Sequence, residues 1–190
     1  MKNIFQDKTL AEYLLTEDKD LIDVVLQNVE PKKIITLNYK GKDYKLKPRV
    51  NDLFFLEWKW IMMIKKNLTE SKLSAVKDIL QGIYPINTEE QFYNCSVFDV
   101  FAAYAWVVEE IQNIYDAEKM KLYKKPSSKQ LSAGIEDFDQ LEDVPVIDGI
   151  ANGDIRLWNE VLELPYGQVL RKMLLTKIQN EYNERLSKQK

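Results

Sequence analysis

Apolar residues recur at helical spacing along most of the chain and at strand spacing in one stretch, residues 34–48, IITLNYKGKDYKLKP. Ile35, Leu37 and Tyr39 alternate with polar residues and so share one face of a strand. Gly41 stands where a tight turn needs a positive φ, and Tyr44 and Leu46 continue the apolar side on a second strand. Lys40, Lys42, Lys45 and Lys47 keep the polar side wet, and Pro48 stops pairing. The pattern predicts one β-hairpin over about 34–47. An isolated two-stranded hairpin is marginal in water, so the chain's own helices or another protein must cover it.

Helical patterns surround the hairpin. Thr9 and Glu12 have capping-box spacing, with Leu10, Tyr13 and Leu14 following. A short helix is expected over about 20–28, ended by Pro31. Asn51 and Asp52 offer a cap to LFFLEWKWIMMIKK, a helix apolar on nearly every side and therefore expected to be buried by the core or by a partner. Another helix is predicted over about 70–81, started by Thr69 and stopped by Gly82. Asn87 with Glu90, and Ser96 with Asp99, repeat the capping-box spacing, and the second pair opens a long helix over about 97–123.

The stretch KKPSSKQLSAG (124–134) reads as a linker. Beyond it, EDFDQLED reads as an acidic loop and VPVIDGIANGD as a loop with one short helix. Two helices close the chain, over about 155–164 and 166–186, with Pro165 in its favoured first-turn position. Leu170, Leu174, Ile178 and Tyr182 keep one face of the last helix apolar. The predicted architecture is mainly α. It comprises a helical domain with one small β-hairpin (1–123), a linker (124–134) and a C-terminal helical pair (135–190).

Composition narrows the function classes. Of 190 residues, 45% are hydrophobic, enough for a core, and no apolar run is long enough to span a bilayer. No signal-peptide core opens the chain, so a soluble protein that stays in the cell making it is expected. Net charge is −3, against a dedicated nucleic-acid binder. The chain has no histidine and one cysteine, which removes Ser-His and Cys-His nucleophile pairs and the usual zinc sites. No glycine-rich phosphate loop is present. No catalytic residue, metal or cofactor is expected.

Individual candidates have plain structural readings beside the functional ones. Cys95, near a helix start but within FYNCSVF, reads as a small buried filler rather than a nucleophile. Aligned as an EF-hand, the loop beginning at Asp148 has Ile150 at the third position and Asn159 at the twelfth, so helix capping is the better reading. Lys119, Lys121, Lys124, Lys125 and Lys129, with Tyr115 and Tyr123, form the best nucleic-acid patch, though lysines near a helix C-terminus also suit the helix dipole. Trp58, Trp60, Met62 and Met63 read as core, as a ligand pocket, or as an oligomer or partner surface.

Two stretches carry a family resemblance: ITLNYKGKDYKLKPRVNDLFFLEWKW and DIRLWNEVLELPYGQVLRKMLLTKIQNEYNERL. The first, strand–Gly-Lys turn–strand–helix, resembles the opening of tail-assembly chaperones and other small morphogenesis proteins of tailed phages. The second, a Trp-bearing helix, then Leu-Pro-Tyr, then a long helix, is similar to the closing part of such proteins. Together they cover roughly a third of the chain. The resemblance implies a non-enzymatic protein that binds other virion or assembly proteins, either as a ring or head–tail connector subunit or as a tail-assembly chaperone. It also implies a homo-oligomer when assembled, located in the host cytoplasm or the virion. Partner contacts are then expected at Ile35, Leu37, Tyr39, Tyr44, Leu46, Trp58, Trp60, Met62 and Tyr166. The alternatives are a nucleic-acid-binding accessory protein using the Lys119-to-Lys129 patch and a small intracellular adaptor unrelated to phage.

Overall fold

Lys40 and Gly41 both adopt positive φ, 54° and 71°, and so build the two-residue turn joining β1 (Ile35–Tyr39) to β2 (Lys42–Leu46). Such a turn matches the right-handed twist of the strands it connects. The strands run antiparallel with Ile35 opposite Leu46, Leu37 opposite Tyr44 and Tyr39 opposite Lys42. The computed structural model describes residues 8–15, 29–70 and 72–188, without the side chains of Lys129 and Gln130. The helix expected over 20–28 lies outside the described residues. Among those described, the hairpin is the one two-stranded sheet and the fold is mainly α.

The α-helices are α1 (Leu10–Leu14), α2 (Trp58–Asn67), α3 (Leu73–Ile83), α4 (Glu89–Tyr93), α5 (Val97–Leu122), α6 (Ser128–Ser132), α7 (Val144–Ile150), α8 (Trp158–Leu162) and α9 (Tyr166–Ser187). Short 3-10 turns occupy Leu53–Phe55, Ile135–Leu141 and Ile155–Leu157. No described helix is long and apolar enough to cross a membrane. The chain divides into two units, Met1–Leu53 with Met62–Gln112, and Phe54–Ile61 with Asn113–Lys190. The stretch 124–134 falls inside the second unit and contains α6.

In the first unit the hairpin is covered by the chain itself. The backbone of residues 94–96 runs along the outer edge of β1: Asn38 N–H donates to Asn94 O (3.0 Å) and Ser96 N–H to Thr36 O (2.8 Å). On its other side the same segment accepts from Leu10 N–H at Cys95 O (2.8 Å), and Val97 N–H donates to Lys8 O (3.0 Å). Two short bridges thus lengthen the hairpin sideways. Asp99, at the start of α5, takes both donors of Thr36 on one carboxylate oxygen, the N–H at 2.9 Å and the hydroxyl in a short bond. Asp99→Ala leaves the Thr36 donors unmet and should cost about 1–3 kcal/mol, read by thermal denaturation, with Asp99→Asn losing less.

Side-chain caps set the starts of two short helices. At α1, Thr9 and Glu12 make both bonds of the capping box. The α4 cap sits one residue later than the spacing predicts. Thr88 Oγ1 accepts from Gln91 N–H (3.2 Å), while Asn87 N–H donates to the Gln91 side chain (2.8 Å). Thr69 does not start the next helix. Its hydroxyl donates to Lys66 O (2.7 Å) and closes α2, so α3 begins at Leu73 and runs through Gly82. Tyr84, before Pro85, is extended and ends α3, as steric conflict with a following proline requires.

The second unit is closed by residues far apart in sequence. The helix expected over LFFLEWKWIMMIKK breaks at residues 56–57. There Trp58 N–H donates to Leu164 O (2.9 Å) and Tyr166 N–H to Leu56 O (2.8 Å), around an antiparallel bridge between Glu57 and Pro165. Backbone groups committed to this pairing cannot also bond along a helix. Gly167 lets α9 approach: a Cβ there would stand 3.1 Å from the Phe54 carbonyl oxygen. Buried side chains of this unit include Leu56, Trp58, Ile61, Ile114, Ile147, Val161, Tyr166 and Val169.

Candidate partner-binding surfaces

The predicted hairpin face divides. Ile35 and Leu37 are buried, Tyr39 and Leu46 half-buried, and Tyr44 is 45% exposed. In an antiparallel pair, backbone groups point alternately toward the partner and away. The bonds made by Thr36 and Asn38 show which residues of β1 point away, and on β2 these are Asp43 and Lys45. No described backbone group pairs with their outward N–H and C=O groups. Among the described residues the hairpin therefore has one satisfied edge, on β1, and one open edge, on β2.

The aromatic candidates mostly turn inward. Trp58 is 3% exposed and Tyr166 is 1% exposed, so both are core side chains of the second unit rather than surface contacts. The Tyr166 ring packs 6.1 Å from that of Phe54, and its hydroxyl donates to Glu118 in a short bond. Burial, with the Glu118 carboxylate adding, raises the Tyr166 phenol above its ordinary value. Trp60 is half-buried, with Lys59 Nζ 6.0 Å from its ring centroid, and Met62 is half-buried as well.

An outward apolar stripe of the second unit lies on α9. Leu175, Ile178, Tyr182 and Leu186 are 49%, 51%, 57% and 42% exposed. At about 100° per residue these four share one side of the helix. Met173, Lys177, Glu181 and Glu184 fall on the opposite side, where with Leu122, Val146 and Ile150 they line a groove of about 460 Å³. The stripe Leu170, Leu174, Ile178, Tyr182 thus begins in the core, with Leu170 buried, and ends in solvent. The apolar spacing was legible in the sequence. Its outward direction was not, because spacing does not say which face a fold covers.

The lysine patch is weaker than its spacing suggests. Lys124 pairs with Glu184 (2.9 Å), which holds that carboxyl below its usual range. Lys177 Nζ donates to Lys121 O (2.8 Å) and Tyr123 O (3.4 Å), so a lysine from α9 already occupies the carbonyl end of α5. Lys119, Lys121 and Lys125 are exposed, and the side chain of Lys129 lies outside the described residues.

Cys95 is buried, and burial, with the Asp99 carboxylate adding, pushes its thiol up to about 12. A thiol in that state is not a nucleophile near neutral pH. The loop from Asp148 serves the helices beside it. Asn152 and Gly153 take positive φ after α7, Asp154 accepts from Arg156 N–H (3.0 Å), and Asp148 accepts from Trp158 Nε1 (3.3 Å). Compared with family models, curated proteins and solved structures, the chain matches none.

Proposed function

We propose that this chain works without catalysis, by binding other proteins, as a structural or assembly component of a tailed phage. The observation carrying the binding reading is the α9 stripe of Leu175, Ile178, Tyr182 and Leu186, apolar side chains turned away from the unit that α9 belongs to. Apolar and aromatic side chains gathered on one exposed face are the compositional mark of a protein interface. The phage assignment rests on the resemblance of the hairpin–helix opening and the Leu-Pro-Tyr closing stretch. The partners are other assembly proteins, with further copies of the chain in the assembled state.

Mass spectrometry of purified particles beside the infected-cell lysate tests this. Several copies per particle identify a structural component, and abundance in lysate with absence from particles identifies a chaperone. A source that yields no particles removes the phage reading. Ile178→Glu with Tyr182→Glu should leave the melting temperature nearly unchanged, since both sites are exposed, and should abolish co-purification with assembly partners. Unchanged co-purification would take the interface away from α9.

A further inference from the structure

The open edge of β2 carries the sequence Lys42-Asp43-Tyr44-Lys45-Leu46, whose charges decide what can lie beside it. Only Asp43 and Lys45 present outward backbone groups, so any added antiparallel strand must bond to those two residues. For a second copy of the same strand, this leaves few registers. One that sets Asp43 opposite Asp43 of the other copy places like charges together. One that sets Lys45 opposite Lys45 does the same. The register centred on Tyr44 sets each Asp43 opposite the other copy's Lys45, and sets Tyr44 against Tyr44. In that register Lys42 faces Leu46, Lys47 faces Gly41, and no lysine stands directly opposite a lysine.

We propose that two copies of this chain pair through β2 in this Tyr44-centred antiparallel register, making a four-stranded sheet across a two-fold axis. The hydrogen-bonded pairs are Asp43 with Lys45 of the second copy, and the reverse. These are also the pairs whose side chains attract. Tyr44, 45% exposed in the single chain, falls at the non-hydrogen-bonded position, where facing side chains are closest and aromatic pairs contribute most. Lys45 lies on the polar face, where its Nζ donates to Thr36 Oγ1 on β1 (2.6 Å), and pairing with the second copy's Asp43 replaces or shares that bond. The remaining lysines act as guards, since other registers bring like charges together. A single strand pair is a small interface, so the dimer is weak and forms where copies are concentrated, as in an assembling particle. The inference rests on the reading of this chain as a binding protein, but it concerns only its self-association.

Sedimentation velocity on the full chain tests it, from about 10 μM to about 1 mM, the range of weak interfaces. The wild type should dimerise as concentration rises. Asp43→Lys sets lysine opposite lysine, and Lys45→Asp sets aspartate opposite aspartate. The two-fold axis applies each change twice, so each variant alone should dimerise about tenfold more weakly or worse. An equimolar mixture of the two restores opposite charges at both pairs and should recover dimers. The weakening of each variant alone marks this register, because in a register with Asp43 opposite Asp43 neither change adds a new like-charge pair. Recovery on mixing shows that charge and not loss of fold caused the weakening, since loss of fold in either variant could not be rescued by mixing. A wild type that stays monomeric throughout overturns the proposal, and cross-linking of Tyr44 to a different assembly protein would then assign the edge to that partner. Dimers unaffected by either variant, or not recovered on mixing, overturn it equally. None of these failures touches the presence of the chain in particles, which the mass spectrometry reads separately.

Discussion

Between about pH 9 and pH 11 the first unit should lose on the order of 4 kcal/mol of stability and approach unfolding. Two buried acids drive the loss. Burial, with Asp99 beside it, raises the Cys95 thiol from 9.0 to about 12. Burial alone raises the Tyr84 phenol, whose hydroxyl donates to Lys33 O (3.0 Å). Both groups are neutral when protonated, and the folded state keeps their protons longer than the unfolded chain does. The stabilisation is complete below the unfolded-state values. It declines once the unfolded thiol and phenol begin to ionise, and it is gone above the folded-state values. Each pH unit within a group's window costs about 1.4 kcal/mol. Urea titrations at stepped pH would measure the slope. Cys95→Ala and Tyr84→Phe should each flatten it, and a slope that neither variant changes would show that these groups are not the cause.

Trp58→Ala should cost about 3–5 kcal/mol, the range for emptying a large aromatic site in a core. In a chain of this size that lowers the melting temperature by on the order of 10 °C. The indole is 3% exposed, and it stands where the backbone of residues 56–58 pairs with residues 164–166. The N–H of residue 58 still reaches Leu164 O in the variant, so the loss measures packing rather than the hydrogen bond. Differential scanning calorimetry would read it. A shift of only a few degrees would mean that the site collapses around the smaller side chain.

Local signals make the hairpin legible in the sequence. Alternating Ile35, Leu37 and Tyr39, and a glycine at the turn, report on neighbours a few residues away, and the structure places the strands within the predicted limits. What could not be read is what answers those elements from a distance. Cys95 and Ser96 read as the prelude to a helix, and Ser96 does stand three residues before Asp99. Their backbones also serve as a partner strand, a role without a side-chain signature. The break before Trp58 has the same origin, since nothing in LFFLEWKW announces that residues 164–166 will claim its backbone. Among the candidate contacts, Trp58 and Tyr166 were visible as large aromatics. An aromatic's size does not say whether the fold or a partner covers it, and here the fold covers both.

The strip that completes β1 is made late. Cys95 follows Leu37 by nearly sixty residues, and Pro165 follows Glu57 by more than a hundred. On a ribosome adding about 5–20 residues per second, the hairpin emerges several seconds before residues 94–96 exist to cover it. The pairing at residues 56–58 waits longer still. For that interval the nascent chain carries two bare strand edges instead of one. Heavy overexpression should therefore lose material from chains still being synthesised, while protein that has finished folding stays in solution.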